Sequence, residues 1–543
     1  MSRKEYRSPW EPGWREEAWA KLGKPWDLII IGGGITGAGI LALAARSGAR
    51  TLLLEKADFA SGTSSRSSKM IHGGLRYLRH MHIKLTWESV RERHRLLKSA
   101  PGLVEPLGFI YPIYEGGHPS PWLMGVGLGI YTRLAREAGD SVRLDEVDVG
   151  MMAPGLKTRN LERAYHYMDA QTDDARLVLR VIHDGLRAGA MEAVKGWKSV
   201  ALNYAAVIGL LKKGGHVTGV AVRDELTGET AEARASLVIN ATGAWADELR
   251  REVGEARRLR PLRGSHIYFG LDRFPVYQAI AFSHPDDGRP VFVYPWEGVA
   301  LVGTTDVDHD LRMDEETSIS AQEADYLFRA AESHFPELGL EKKNVRTAQA
   351  GLRPVIGTGK VDPSAESRDY AIWQESGLLT VTGGKLTTFR LHAIDALKEA
   401  HEINSGIPKP DSEARVLETF DPERKIDGVD DEDEARRLWG RCGAAARRLA
   451  ALFPELNSPI PGTPYLGAEL AWAAGHEAVN HLDDLLLRRF RLGILLPDGG
   501  QSLLPALEPL LKKRLGWGNE RWAEEVERYR RIWPAAYGLP KEW

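Results

Sequence analysis

The stretch DLIIIGGGITGAGILALAARSGARTLLLE, residues 27–55, decides the fold. Residues 28–31 are an apolar run bounded by glycines, the pattern of a short parallel strand buried on both faces. Gly32, Gly34 and Gly37 follow as G-x-G-x-x-G at the strand-to-helix turn. In that motif the first glycine permits the tight turn, the second lets backbone approach a pyrophosphate, and the third lets helix and strand pack closely. The next segment places Ile40, Leu41 and Ala44 on one face of a helix whose positive dipole end points at the phosphates. Gly48 stops that helix, residues 51–54 form a second strand, and Glu55 ends it as a carboxylate for ribose hydroxyls. Strand, glycines, helix, strand and acid in this order predict an ADP-binding βαβ unit.

At 543 residues the chain exceeds one core, so two or three domains are expected. It is 43% hydrophobic and 27% charged with a formal net charge of −3, which gives no basic surplus for nucleic acid. Cys442 is the single cysteine, so no internal disulfide forms, and a reducing compartment fits. The pair His80-x-His82 lacks a third ligand, and no metal is assigned. The tryptophan-rich N-terminus has no apolar core of a secretory signal. The longest uncharged apolar stretch, about residues 119–132, is too short and glycine-rich to span a bilayer, so membrane contact is expected to be peripheral.

Beyond Glu55 runs a loop rich in serine, glycine and positive charge, with Thr63, Ser64, Ser65, Lys69, His72, Arg76 and Tyr77 concentrated in it. Its placement after an ADP-binding strand suits a phosphate or a bound ring. Residues 83–99 read as a helix, 101–114 as strand, 122–131 as a buried or interfacial helix, and 173–188 as an amphipathic helix capped by Asp173 or Asp174. Residues 199–211, 217–223 and 230–235 form an antiparallel meander, followed by a separate buried strand at 236–240. That strand ends in Ala241-Thr242-Gly243, a second backbone approach to the cofactor. Strand-rich sequence from 259 to 350, with a helix at 321–333, reads as an antiparallel sheet of its own. A strand at 378–382 then meets Gly383-Gly384-Lys385-Leu386-Thr387-Thr388 and another helix. A site assembled from such distant segments suits a flavin better than a nicotinamide, and the second helix N-terminus would stabilise negative charge on the reduced ring. Residues 405–409 and the acidic run 427–434 lead into a helix-patterned C-terminal region.

Eight motifs in order, IGGGITGAGI, TSSRSSKMIHGGLRYL, DDARLVL, INATGAW, RGSHI, VGTTD, GLRPV and GGKLTTFR, resemble the FAD-dependent glycerol-3-phosphate dehydrogenases, among the glycine-oxidase-like flavoproteins. HLDDLLLRRFRLG resembles the helical C-terminal cap of that family, while the segment before Asp27 has no counterpart in its pattern. The resemblance implies an α/β fold: a Rossmann-like FAD-binding domain with a β-meander (24–100, 165–250 and 351–402), an interleaved antiparallel-sheet substrate domain (101–164 and 251–350), and an all-helical C-terminal domain (411–543).

The resemblance also implies non-covalent FAD, held by Gly32, Gly34, Gly37, Glu55, Thr63, Ser64, Ser65, Lys69, Ala241, Gly243, Gly384, Lys385, Leu386 and Thr387. Its expected reaction is oxidation of sn-glycerol 3-phosphate to dihydroxyacetone phosphate by hydride transfer from C2 to flavin N5. A phosphate dianion calls for charge-assisted, bidentate contacts, and Arg76, Arg353 and Lys385 match by motif, with Tyr77 beside them. The departing hydroxyl proton calls for an acceptor, for which His72 and His266 are the candidates, with Arg353 in the catalytic set. Electrons are expected to pass to a quinone; the alternative is an oxidase that uses oxygen and produces hydrogen peroxide. Expected surroundings are the cytoplasm or the inner face of the cell membrane, reached through residues 122–131 or a basic face at Arg488, Arg489, Lys512, Lys513 and Arg514. A homodimer is left open, and no nucleic acid partner is expected.

Overall fold

The computed structural model describes residues 7–74, 83–116, 120–135, 142–192, 199–360, 362–363, 366, 369–419 and 425–543. Pro25–Ile31 is the axis of the first sheet. It pairs in parallel with Thr51–Leu54 on one side and Thr230–Asn240 on the other. Val200–Leu202 and Leu378–Gly383 extend the parallel set at either end, and Tyr370–Glu375 closes one edge antiparallel. Leu28, Ile29 and Ile30 have no exposure because both faces of the sheet are covered. The helices Ile35–Arg46, Asp174–Glu192 and Phe389–Ile403 pack on one side. Gly185 and Gly189 make that packing close: a Cβ on Gly185 would lie 2.6 Å from the Ala42 Cα.

Thr230–Asn240 does two jobs that the sequence pattern separates. Its first half pairs antiparallel with His216–Asp224 in the meander, and its second half runs parallel to the strand of the βαβ unit. One continuous strand thereby carries the meander into the sheet. The segment expected at 199–211 is instead broken, with Val200–Leu202 in the parallel sheet and Ala205–Lys213 in the meander.

A second, ten-stranded sheet is built around Val104–Tyr114, Leu161–Thr172, Leu259–Gly270 and Val345–Ile356. Its borders differ from the expected ones. Leu161–Thr172 pairs along its whole length with Val104–Tyr114, and Val345–Ile356 with Leu259–Gly270. Residues up to 172, and 351–356, therefore belong to this sheet rather than to the domain of the first sheet. Ladder pairing settles a border that an alternation pattern cannot.

The C-terminal region is helical, as its pattern predicts. Leu482, Leu485, Leu487, Phe490 and Trp522 share a core with Phe109, Tyr294 and Trp296 of the second sheet. Its contact with the domain of the first sheet combines ion pairs with hydrogen bonds such as those of Asn203 to Ala478 and Asn480. A π-helical turn, Leu485–Arg489, sets the adjacent Arg488 and Arg489 so that both reach Asp58. The segment before the first strand is a strap. Trp10 is buried with its ring stacked 5.6 Å from Phe59, Arg15 bonds the Asn203 and Tyr204 carbonyls and Asp224, Ser8 Oγ donates to the His476 carbonyl, and Glu11 pairs with Arg448.

Candidate active site

The glycine turn comes first. Gly32, at φ 112°, has no room for a side chain: a Cβ would lie 2.6 Å from the Ala241 carbonyl oxygen, and one on Gly37 only 2.0 Å from that of Gly32. The Ala241 amide donates to the Ile31 carbonyl, so the two approaches expected from residues 27–55 and 241–243 do meet. Ser64 Oγ accepts from the Ile35 amide at the helix N-terminus and fills the space beside Gly34. Glu55 accepts from the amides of Gly33 and Ala57. Burial raises its pKa, against the opposing pull of those two amides.

The second glycine turn closes on the same region. Gly243 and Gly384 both have positive φ, and Thr382 Oγ1 donates to the Gly243 carbonyl. A Cβ on Gly384 would strike the His392 ring at 2.1 Å. His392 bonds Thr388 Oγ1 and stacks on Tyr370; burial, and then the Lys385 ammonium, push its pKa down to about 3, so the ring is neutral. Lys385 precedes the short helix Leu386–Thr388, and Thr387 Oγ1 accepts from the His72 amide and donates to its carbonyl.

The third component is the second sheet. His266 lies opposite Gln349, and Arg353 opposite Leu262, on adjacent strands. The missing side chains of Gly264 and Gly303 make room for the Arg353 guanidinium and the His266 ring, which a Cβ would meet at 2.1 Å in each case. Arg353 donates to Thr304 Oγ1, the Thr305 carbonyl and Asp306. Burial, then Arg353 and Lys69, hold His266 well below its ordinary pKa, so this imidazole is also neutral. Its Nε2 bonds Ser68 Oγ at 2.9 Å, while Nδ1 has no hydrogen-bond partner among the described residues. Thr63 Oγ1 donates to the Leu352 carbonyl, and the Val345–Ile356 strand that carries Arg353 packs against Leu378–Gly383. The three segments thus converge.

Several expected site residues land elsewhere. Lys69 is buried with its ammonium on Asp174 and the Ser65 carbonyl, where burial pushes its pKa down to about 8 against the pull of Asp174; its task is an ion pair between elements. Ser65 is buried beneath the loop surface, and Arg76 and Tyr77, with His80 and His82, lie outside the described residues. Of the basic docking face, Lys513 is exposed and Lys512 half-buried, but the other cations are engaged inside the protein. Arg488 and Arg489 are buried in ion pairs with Asp58, Asp483 and Asp484, and Arg514 lies over the Phe453 ring. Sequence reasoning passed over Ser68, Asp306 and Asp174 as site residues, although VGTTD and DDARLVL hold the last two.

These residues fit FAD. Two glycine turns whose backbones admit no Cβ, a helix N-terminus tied by a serine, and a carboxylate at the end of the second strand are the elements an adenine dinucleotide needs. Residues 27–390 match the family model described as FAD dependent oxidoreductase, and residues 410–522 match the C-terminal domain of alpha-glycerophosphate oxidase. The aerobic glycerol-3-phosphate dehydrogenases of Staphylococcus aureus and Staphylococcus epidermidis are 34% identical over 492 residues, covering 86% of each chain. The chain belongs to the FAD-dependent glycerol-3-phosphate dehydrogenase family. Its cofactor is FAD. Among solved structures, the glycerol-3-phosphate dehydrogenase from Bacillus halodurans complexed with FAD superposes with a TM-score of 0.75 at 26% identity, covering 97% of this chain and 98% of that one. The L-alpha-glycerophosphate oxidase from Mycoplasma pneumoniae shares the fold, with a TM-score of 0.57 at 16% identity over 73% of this chain and 99% of that one.

Proposed function

We propose that the protein oxidises sn-glycerol 3-phosphate to dihydroxyacetone phosphate and passes the electrons to a quinone. The observation that carries the reading is the packing of the strand that bears Arg353, Val345–Ile356, against Leu378–Gly383, the strand that leads into Gly384 and Lys385. Two cations from different domains suit a phosphate dianion, whose oxygens take charge-assisted bonds in a fixed orientation. Arg353 is itself oriented by Asp306 and Thr304. Bound FAD would supply the two-electron acceptor for the C2 hydrogen. His266 takes the hydroxyl proton in this reading. With Ser68 Oγ accepting from Nε2–H, the lone pair sits on Nδ1, and burial keeps the ring neutral to receive it. His72, tied through its backbone to Thr387, is the second candidate.

The exposed face of the helix Pro121–Ala135 favours a membrane-bound acceptor. Trp122 is 76% exposed, with Leu123, Val126 and Ile130 exposed along the same helix. Single exposed apolar residues need no account, but four on one helix mark a contact surface. Among the described residues no helix is long and apolar enough to cross a membrane, so docking would be peripheral. With Arg488 and Arg489 buried, apolar insertion rather than charge would hold it, and liposome binding should survive high salt.

The deciding experiment is a steady-state assay of glycerol 3-phosphate oxidation with a quinone analogue under argon and, separately, with oxygen and a peroxide readout. Rapid quinone reduction with little peroxide is expected. The reverse would establish the oxidase, and no turnover with either acceptor would remove the substrate.

A further inference from the structure

The loop at residues 64–69 has one task at each end. Ser64 holds the Ile35 amide at the helix N-terminus, and Ser68 holds His266 Nε2. Beyond the short turn Thr63–Ser65 and the strand Met70–Ile71, no regular pairing shapes the middle of this loop. Lys69 adopts a left-handed φ of 54°, which an unbranched L side chain holds only when its surroundings over-determine it.

Polar contacts supply that determination. Asp174 Oδ2 accepts from both the Ser67 amide, at 2.9 Å, and Ser67 Oγ, at 2.7 Å. Asp174 and its neighbour Asp173 are two adjacent carboxylates without solvent exposure, which repel unless a cation lies between them. Lys69 pairs with Asp174 and Arg441 with Asp173, and Arg491, from the helical C-terminal domain, bonds both carboxylates. Its Nε donates to Asp173 at 3.0 Å, one terminal nitrogen donates to Asp174, and the other reaches the Leu487 carbonyl at 2.8 Å and the Ser65 carbonyl at 3.4 Å. A rigid fork can satisfy all four acceptors at once, which a lysine ammonium on a flexible stem cannot.

We infer that Arg491 is a positioning residue through which the C-terminal domain sets the shape of the flavin loop and, by way of Ser67 and Ser68, the placement of His266. The inference rests on the reading that puts Ser64, at the head of this loop, at the FAD site. It makes the last quarter of the chain part of the oxidative machinery without touching substrate.

The test separates positioning from plain stability. Release of FAD from the holoenzyme, followed by the rise in flavin fluorescence on dilution, is measured for Arg491→Met, Arg491→Lys and Arg437→Ala, with the melting temperature of each. Arg437 pairs with Glu469 inside the C-terminal domain and serves as the destabilising control. Arg491→Met should weaken FAD retention at least tenfold, and Arg491→Lys should recover much of the melting temperature while still releasing FAD several-fold faster. Arg437→Ala should lower the melting temperature with FAD retention within twofold of the parent. Unchanged retention in a folded Arg491 variant, or equal release by Arg437→Ala at a matched melting temperature, overturns the inference. If Arg491→Met does not fold, Ser67→Ala decides, because it removes the hydroxyl's bonds to Asp174 and to the Lys69 amide without deleting a charge: about threefold faster FAD release supports the inference, and parental retention overturns it. Parental flavin release in every variant together with intact glycerol 3-phosphate turnover would sink this inference while leaving the proposed reaction standing.

Discussion

Arg353 and Arg489 are the same residue type put to opposite uses. Arg489 has no solvent exposure, and its guanidinium faces Asp58 and the carbonyls of Glu477 and Ala478. Arg353 keeps 20% of its side chain exposed, holds Asp306 at 3.1 Å, and lies over a glycine in the sheet. A cation closed in by a buried carboxylate and carbonyls is a joint. One oriented by a carboxylate yet still open to solvent suits the anion-binding role proposed for it. Both occur in arginine-bearing motifs, so the difference lies in their surroundings.

The sharpest way to break this contrast is to remove each arginine in turn. Arg489→Ala leaves the buried Asp58 to Arg488 and Asn203 alone and should cost about 3 kcal/mol of stability, seen as a lower urea midpoint, while KM for glycerol 3-phosphate in the remaining folded enzyme stays near the parent value. Arg353→Ala should do the reverse: kcat/KM falls by about 2–5 kcal/mol of transition-state binding, with the urea midpoint little changed and the protein still yellow. Two variants with the same phenotype would erase the distinction.

A smaller effect is expected from His392, which shares the Lys385 turn but is wholly internal. Its folded pKa, about 3, lies below the ordinary value near 6.5, so the unfolded chain binds a proton that the folded one refuses. The stability it contributes is full above pH 6.5 and is lost as pH falls from there toward 3. His392→Gln should make the decline of the urea midpoint between pH 6.5 and 4.5 shallower, by up to about 1.4 kcal/mol per pH unit. An unchanged slope would mean that the ring already titrates normally in the fold. The mildest change is Asp306→Asn, which leaves Arg353 in place with a weaker guide. It should raise KM roughly fivefold, about 1 kcal/mol, and a parental KM would show that Thr304 Oγ1 and the Thr305 carbonyl suffice to orient the guanidinium.

The first sheet was legible because its signals are local. Glycines between an apolar strand and a helix, and an acid at the next strand end, can be read from a window of thirty residues. The continuous strand Thr230–Asn240 was not, since its two halves have different partners and only pairing reveals them as one. Candidate site residues show the same divide. His266 and Arg353 stood out as chemistry-bearing types in recognisable motifs, and the structure gives each a glycine-lined berth. The misplaced residues were cations too. Lys69, Arg488 and Arg489 meet partners between 105 and 431 positions away, and nothing in a local window distinguishes a lysine destined for Asp174 from one destined for a phosphate. The exposed helix Pro121–Ala135 escaped a firm reading for a related reason: its glycines and apolar residues suit a core as well as a surface.

The N-terminal strap has a consequence in time. Ser8 bonds a carbonyl 468 positions further on, and Glu11 pairs with an arginine 437 positions away. Residues 8–11 therefore leave the ribosome well before the partners they bond. At about 5–20 residues per second that interval is roughly 25–90 seconds. During it Trp10 can settle on Phe59, which emerges early, while the polar half of the strap has nothing to hold. The nascent sheet waits as well, because Leu378–Gly383 has yet to be made. The strap is a latch that closes only once Arg448 and His476 have been made, and until then the nascent protein shows a tryptophan-rich segment to whatever chaperone or protease stands nearby.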